Sequence, residues 1–298
     1  MDYKMFKECI LDGMKERFAD NEFEYKEVLK NNGVKLDGLV VKTSGNRLFP
    51  TVYVNDYYSM FEKSNDMCSI CDMIENVIRD NTVEGNIDVD SLIDFESVKD
   101  RIVFKLINFE KNAELLENVP YKKFLDLAIV YYILIGEEAF NNGSILINNS
   151  HIKMWGKSVE DIDAIAKENA PELLKADIKS IEETLKALLP GEENIEEDLL
   201  SGGCNMYVLS NDKNMFGASV LLYDNVMSQF KDIVKGDMFI LPSSVHEVIM
   251  IPSMLVDEIS RLDEMICEVN ETQVPVTDIL SDHAYIYNFE KRCITCAS

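Results

Sequence analysis

Histidines, serines, cysteines and a dense population of carboxylates are the side chains of this 298-residue chain that could do chemistry, and one short stretch gathers several of them. In FILPSSVHEVIMIP, Phe239 to Pro252, two serines, a histidine and a glutamate lie between two apolar runs. Ser243 or Ser244 as nucleophile, His246 as base and Asp282 or Glu247 as orienting carboxylate would supply the residue types of a hydrolytic triad. No G-x-S-x-G elbow surrounds them, however, and Pro-Ser-Ser between apolar strands equally suits a turn whose hydroxyls satisfy local backbone groups. His246-Glu247 opens like a zincin helix, but Met250 stands where the second histidine of HExxH belongs. His151 and His283 have no spacing that joins them to His246 in a zinc site.

If DMFILP and EVIMIP are adjacent antiparallel strands, the polar residues gather at one sheet end. There they can reach the loop SDHAYIY. The binding candidates at that end are Ser243, Ser244, His246, Glu247, Asp282 and His283, with a structural turn as the reading that competes with ligand contact and with catalysis.

Seven cysteines include two CxxC pairs, CSIC at 68–71 and CITC at 293–296, a spacing that could ligate zinc. The first pair lies where Met67, Ile70, Cys71, Ile74, Val77 and Ile78 mark a helical apolar face and the second lies two residues from the C-terminus, so these read as buried or incidental thiols. No metal and no cofactor is expected, and neither phosphate-cradling glycine motif occurs. The formal charge of -25 opposes a nucleic-acid backbone. LDLAIVYYILI is too short to span a bilayer, and no signal peptide is legible, so the expectation is a cytoplasmic protein with reduced thiols and no membrane contact.

The elements that must position these residues read as α+β, mainly antiparallel sheet with packed helices. An amphipathic helix comes first, on Met5, Phe6, Cys9, Ile10 and Met14. A hairpin follows about Asn32-Gly33, then a strand leading into a helix. VKDRIVFKLINF reads as a salted, half-exposed strand, and Leu125–Ile135 with Ser144–Asn149 as a second hairpin. Ser158 and Asp161 cap a helix expected to stop at Asn169, and ADIKSIEETLKALL reads as a further helix. Beyond PGEENIEEDLL, a solvated acidic run, the pattern MYVLS, FGASVLLY, DNVMSQFKDIVK, DMFILP, EVIMIP, LVDEISRLDEMICEV, HAYIYNF reads as a ββαββαβ module. The expected division is therefore 1–190, an N-terminal α+β region; 191–203, an acidic and glycine-containing linker; and 204–298, the C-terminal module.

At VKDRIVFKLINFEKNAELLENVPYKKFLDLAIVYY, MYVLSN with FGASVLLY, ILPSSVHEVIMIP and EVNETQVPVTDILSDHAYIYNF, the chain resembles a family of uncharacterised bacterial proteins of gut anaerobes, a domain of unknown function. That resemblance implies a bacterial cytoplasmic protein and carries no catalytic residues. The function expected is non-enzymatic: binding or regulation through a protein or small-ligand contact. Its rivals are a hydrolase using Ser243 or Ser244 with His246, and an acidic mimic of nucleic acid.

Overall fold

The computed structural model describes residues 1–43, 51–81, 94–135, 143–188, 206–234, 236–242 and 244–297. They fall into two compact units, Met1–Val98 with Ile135–Gly143, and Lys99–Leu134 with Ser144–Ser298. Among the described residues no helix is long and apolar enough to cross a membrane.

The first unit is a three-stranded antiparallel sheet, β1 (Asn21–Leu29), β2 (Lys35–Thr43) and β3 (Thr51–Tyr53), with helices α1 (Tyr3–Arg17), α2 (Asn55–Ser64) and α3 (Met67–Asn81). Asn32 and Gly33 both adopt positive φ, 58° and 70°, the conformation that a tight reversal between β1 and β2 requires. The helical spacing of Phe6, Ile10 and Met14 on α1 and of Ile70, Ile74 and Ile78 on α3 brings these side chains together with Leu39 and Val41 of β2 in one core. Cys71 belongs to this core and burial pushes its thiol pKa up, whereas Cys68 is exposed. The CSIC spacing is thus explained by one helix with an inward and an outward thiol.

In the second unit, β6 (Leu127–Leu134) pairs with β4 (Ile102–Asn108) along one edge and with β5 (Tyr121–Phe124) and β7 (Ser144–Leu146) along the other. β4 is buried on both faces apart from Lys105, which corrects the expectation of a half-exposed strand. Lys105 at its middle is its one charged residue, the other charges flank the strand, and helix α5 (Val159–Leu173) covers it. Preceding α5 is α4 (Asn149–Trp155), where His151 Nδ1 accepts the Asn148 N–H in a capping box, so this histidine closes a helix start. Ser158 and Asp161 form the expected box on α5, but the helix continues through Asn169 and Pro171. Asn169 serves packing instead: its amide donates to the carbonyls of Lys99 and Ile102.

A six-stranded antiparallel sheet completes this unit in the order β13-β12-β10-β11-β9-β8. Its strands are β8 (Ala176–Ser180), β9 (Tyr207–Asn211), β10 (Met238–Leu241), β11 (Val248–Pro252), β12 (Tyr285–Asn288) and β13 (Cys293–Cys296). Two expectations fail here. ADIKS is strand β8, and only Ile181–Leu188 (α6) is helical; FGASVLLY contains a 3₁₀ helix, Gly217–Leu222, in place of the second strand of the module. CITC is the edge strand β13, and no metal-ligating cluster occurs among the described residues. The run 191–203 lies outside the described residues, and the strands on either side of it, β8 and β9, pair with each other. One face of β10 and β11, with Phe239, Leu241 and Ile251, packs on Leu262 and Ile266 of α8 (Ser260–Thr272). On the opposite face Met250 pairs with Tyr207, whose ring meets Phe230 of α7 (Val226–Ile233) edge-on.

One buried charge ties α5 to its sheet. The Asp163 carboxylate accepts from Lys122 Nζ at 2.9 Å and the Tyr131 hydroxyl at 3.1 Å, and pairs with Lys167 Nζ at 3.0 Å. Burial opposes its ionisation, but the two ammonium groups and the hydroxyl outweigh burial and hold its pKa below the ordinary carboxylate value. A depressed folded-state pKa stabilises the protein above the unfolded value of about 3.9, and this contribution is lost as pH falls through the folded value. Asp163→Asn should therefore cost about 2 kcal/mol in denaturant melts at pH 7, less than a fully buried pair because both lysines can return to water. The deficit should shrink toward pH 3; a deficit independent of pH would show that the charge is not the source.

Candidate functional site

β10 and β11 pair from Met238 with Pro252 to Leu241 with Ile249, so the stretch expected as a turn does connect two antiparallel strands. Ser243 lies outside the described residues. Ser244 Oγ accepts the His246 N–H at 3.0 Å, a local hydroxyl–backbone turn. The backbone of this connection is held from both sides. Ser244 bridges Ile279, the Val245 N–H donates to the Asp278 carbonyl at 2.8 Å, and the Val245 carbonyl accepts the Ala218 N–H at 3.2 Å.

His246 is fixed by residues that sequence reading did not select. Asn211, fully buried at the end of β9, accepts the N–H groups of Lys213 and Met215 and donates to the Met215 carbonyl, shaping the loop that delivers Phe216. Phe216 takes a left-handed φ of 57° at the start of the 3₁₀ helix. The next residue must be glycine. A Cβ on Gly217 would strike Ser210 Oγ and the His246 carbonyl, groups already joined by a 2.8 Å hydrogen bond donated by the serine.

This close approach sets the imidazole. His246 Nδ1 accepts the Phe216 N–H at 3.4 Å, and Nε2 lies 3.9 Å from Asp278 Oδ2. With Nδ1 engaged as an acceptor, the proton of the neutral ring belongs on Nε2, facing the carboxylate. The ring also ends an aromatic ladder: its centroid is 6.0 Å from that of Phe216, which stacks 5.2 Å from Tyr132. Lys105 Nζ stands 4.3 Å from the Phe216 centroid and 4.6 Å from that of Tyr132, close enough for cation–π attraction to both.

Neither His246 ring nitrogen meets a hydroxyl among the described residues, and Ser244 is occupied by backbone. The arrangement suits holding a half-exposed aromatic and cationic surface in one conformation. Glu247 projects exposed beside it.

Asp282 and His283 are not brought to His246 by their side chains. Asp282 accepts from Lys111 Nζ at 2.8 Å and from Asn270 Nδ2 at 2.9 Å; burial opposes its ionisation, and these two donors prevail to lower its pKa. His283 is largely exposed, with Nδ1 3.8 Å from Asp263 Oδ2. The loop nevertheless reaches the turn through its backbone, where the Ser281 N–H donates to the Pro242 carbonyl at 3.0 Å. Lys105, Tyr132, Phe216 and Asp278 come from separate stretches of chain, and no local pattern links them to His246.

A family model matches residues 3–289. The chain belongs to DUF5688, a family of unknown function. No curated protein and no solved structure matches it. The resemblance legible in the sequence is to this family, and DUF5688 membership, although it spans nearly the whole chain, assigns no activity to any of the residues above.

The geometry separates two substitutions. His246→Ala deprives the Phe216 N–H of its acceptor and should cost about 1 kcal/mol, the scale of one neutral hydrogen bond. Gly217→Ala forces backbone apart at a packed junction and should cost about 3 kcal/mol or more. Urea unfolding of both variants checks the order; equal small effects would mean that the junction is not constrained.

Proposed function

We propose that this protein is a non-catalytic binding or regulatory protein that contacts a protein or small-ligand partner through the second unit, at the end of the sheet carrying Phe216, His246, Glu247 and Asp278. The observation that carries the reading is the commitment of the His246 ring: one nitrogen on a backbone N–H, the other toward a carboxylate, with Ser244 turned to the backbone. A general base needs a free nitrogen within reach of the proton it removes. The free thiols of the described residues fit a reducing compartment, which supports a cytoplasmic setting.

A hydrolase built on Ser244 and His246 has less behind it for the same reason. An acidic mimic of nucleic acid would need carboxylates in unbroken rows. Acids here are interleaved with bases, as in Arg17 with Asp72 and Glu75, Lys42 with Glu24, and Lys111 with Asp282.

Two measurements test the proposal. A fluorophosphonate probe should leave the protein unlabelled; stoichiometric labelling that disappears in Ser244→Ala or His246→Ala would overturn the non-catalytic reading. Glu247→Lys reverses an exposed charge and should leave the melting temperature within about a degree of wild type, since exposed substitutions without partners change stability by less than about 0.5 kcal/mol. The same variant should lose whatever wild-type protein retains in affinity capture, and capture unaffected by it would move the contact surface elsewhere.

A further inference from the structure

We infer that the groove beside α7, at the far end of the sheet from His246, binds a small organic anion with a flat aromatic body. The groove has a volume of about 700 Å³, within the range that holds a small molecule. It lies at the end of β12 opposite the turn: Tyr287 pairs with Met238, where β10 begins, and the turn follows Leu241, where β10 stops. The site is therefore separate from the contact surface proposed above, and either can fail without the other.

Its walls supply both parts of the ligand's chemistry. Tyr223 and Tyr287 are nearly buried and line it together with Phe289, whose ring meets Tyr287 edge-on at 4.9 Å. Aromatic walls of this kind favour a planar apolar body. Two exposed cations, Lys231 and Arg292, line the same groove. Acids outnumber bases 54 to 29 in this chain, yet neither cation has a carboxylate partner among the described residues. Asp224 is the one carboxylate lining the groove. Within the groove's own lining two cations thus face one carboxylate, while Asp237 and Glu290 border Lys231 and Phe289 in the adjoining hollow, so the anion's headgroup is placed between Lys231 and Arg292. α7 turns the Met227, Ser228 and Lys231 face to the groove, and Asn225 places no side-chain cap on its first turn. The positive end of that helix adds to the two side chains and does not replace them.

The ligand class is an aryl carboxylate or aryl phosphate: a charged group for Lys231 and Arg292, and a ring for the aromatic wall. Arg292 can hold either headgroup with paired N–H donors, and Lys231 supplies a point charge.

The test uses the full chain with 1-naphthyl phosphate, 1-naphthoate, neutral 1-naphthol and inorganic phosphate in calorimetric titrations. The two naphthyl anions should bind about tenfold tighter than naphthol and than inorganic phosphate, as expected when a charge-assisted contact and ring burial act together. The tighter of the two identifies the headgroup. Lys231→Gln and Arg292→Gln should each weaken naphthyl-anion binding about fivefold or more, leave naphthol unchanged, and keep the wild-type melting temperature, because neither side chain has a carboxylate partner among the described residues. Cys293 lines the groove and localises the event. In a Cys296→Ser background the bound anion should slow alkylation of Cys293 without slowing that of exposed Cys9. Equal binding of naphthol and the anions, indifference to both substitutions, or unprotected Cys293 would overturn the inference.

Discussion

Backbone meeting backbone at Gly217 is the constraint on which the second unit's architecture depends. The Gly217 backbone lies against Ser210 on β9 and the carbonyl of His246 in the β10–β11 connection, at a distance that excludes any Cβ. Because the approach is so close, the apolar stretch after Phe216 coils into a 3₁₀ helix, with Gly217 to Leu221 all buried, and cannot run on as a strand. That helix touches both β9 and β4, so one steric requirement joins the four-stranded and six-stranded sheets of the unit. The left-handed turn at Phe216 then directs its N–H to the imidazole and its ring between Tyr132 and His246.

Buried amide donors and the partly buried Asp126 carboxylate supply specificity around this junction. Asn108 donates to the Leu280 carbonyl and Asn270 to that of Ser281. Asp126 accepts from the hydroxyls of Ser281 and Tyr285, and burial followed by the neighbouring carboxylate drives the Tyr285 pKa upward. These bonds fix the segment that carries Asp278 and Asp282 relative to the strands before it. Removing either buried amide would leave a carbonyl unpaired in the interior, which limits the positions open to the segment.

What was legible in the sequence follows the range of the interactions that decide it. Asn32-Gly33, the Ser158–Asp161 box and the β10–β11 hairpin depend on neighbours in the chain, and composition alone shows them. ADIKS is ambiguous by itself; it becomes a strand because Ile178 finds Leu209 across a long intervening segment. FGASVLLY has the composition of a strand and is overruled by the contact at Gly217. Pro171 suggested a helix end at Asn169; it forfeits the backbone bond to the Lys167 carbonyl, yet α5 runs on to Leu173. For the candidate site, His246 and Ser244 drew attention by residue type. The groups that determine what they do, Phe216, Asp278, Tyr132 and Lys105, become neighbours only through tertiary pairing.

His246 Nδ1 accepts the Phe216 N–H, and this bond orients the ring. Long-range proton–nitrogen correlation NMR of the histidine side chains, assigned with a His246→Gln variant, measures this directly at a pH where the ring is neutral. His246 should carry its proton on Nε2, and Nδ1 should have the nitrogen shift of a hydrogen-bond acceptor. A proton on Nδ1, with Nε2 left as the free base, would contradict it and return His246 to the candidates for acid–base chemistry.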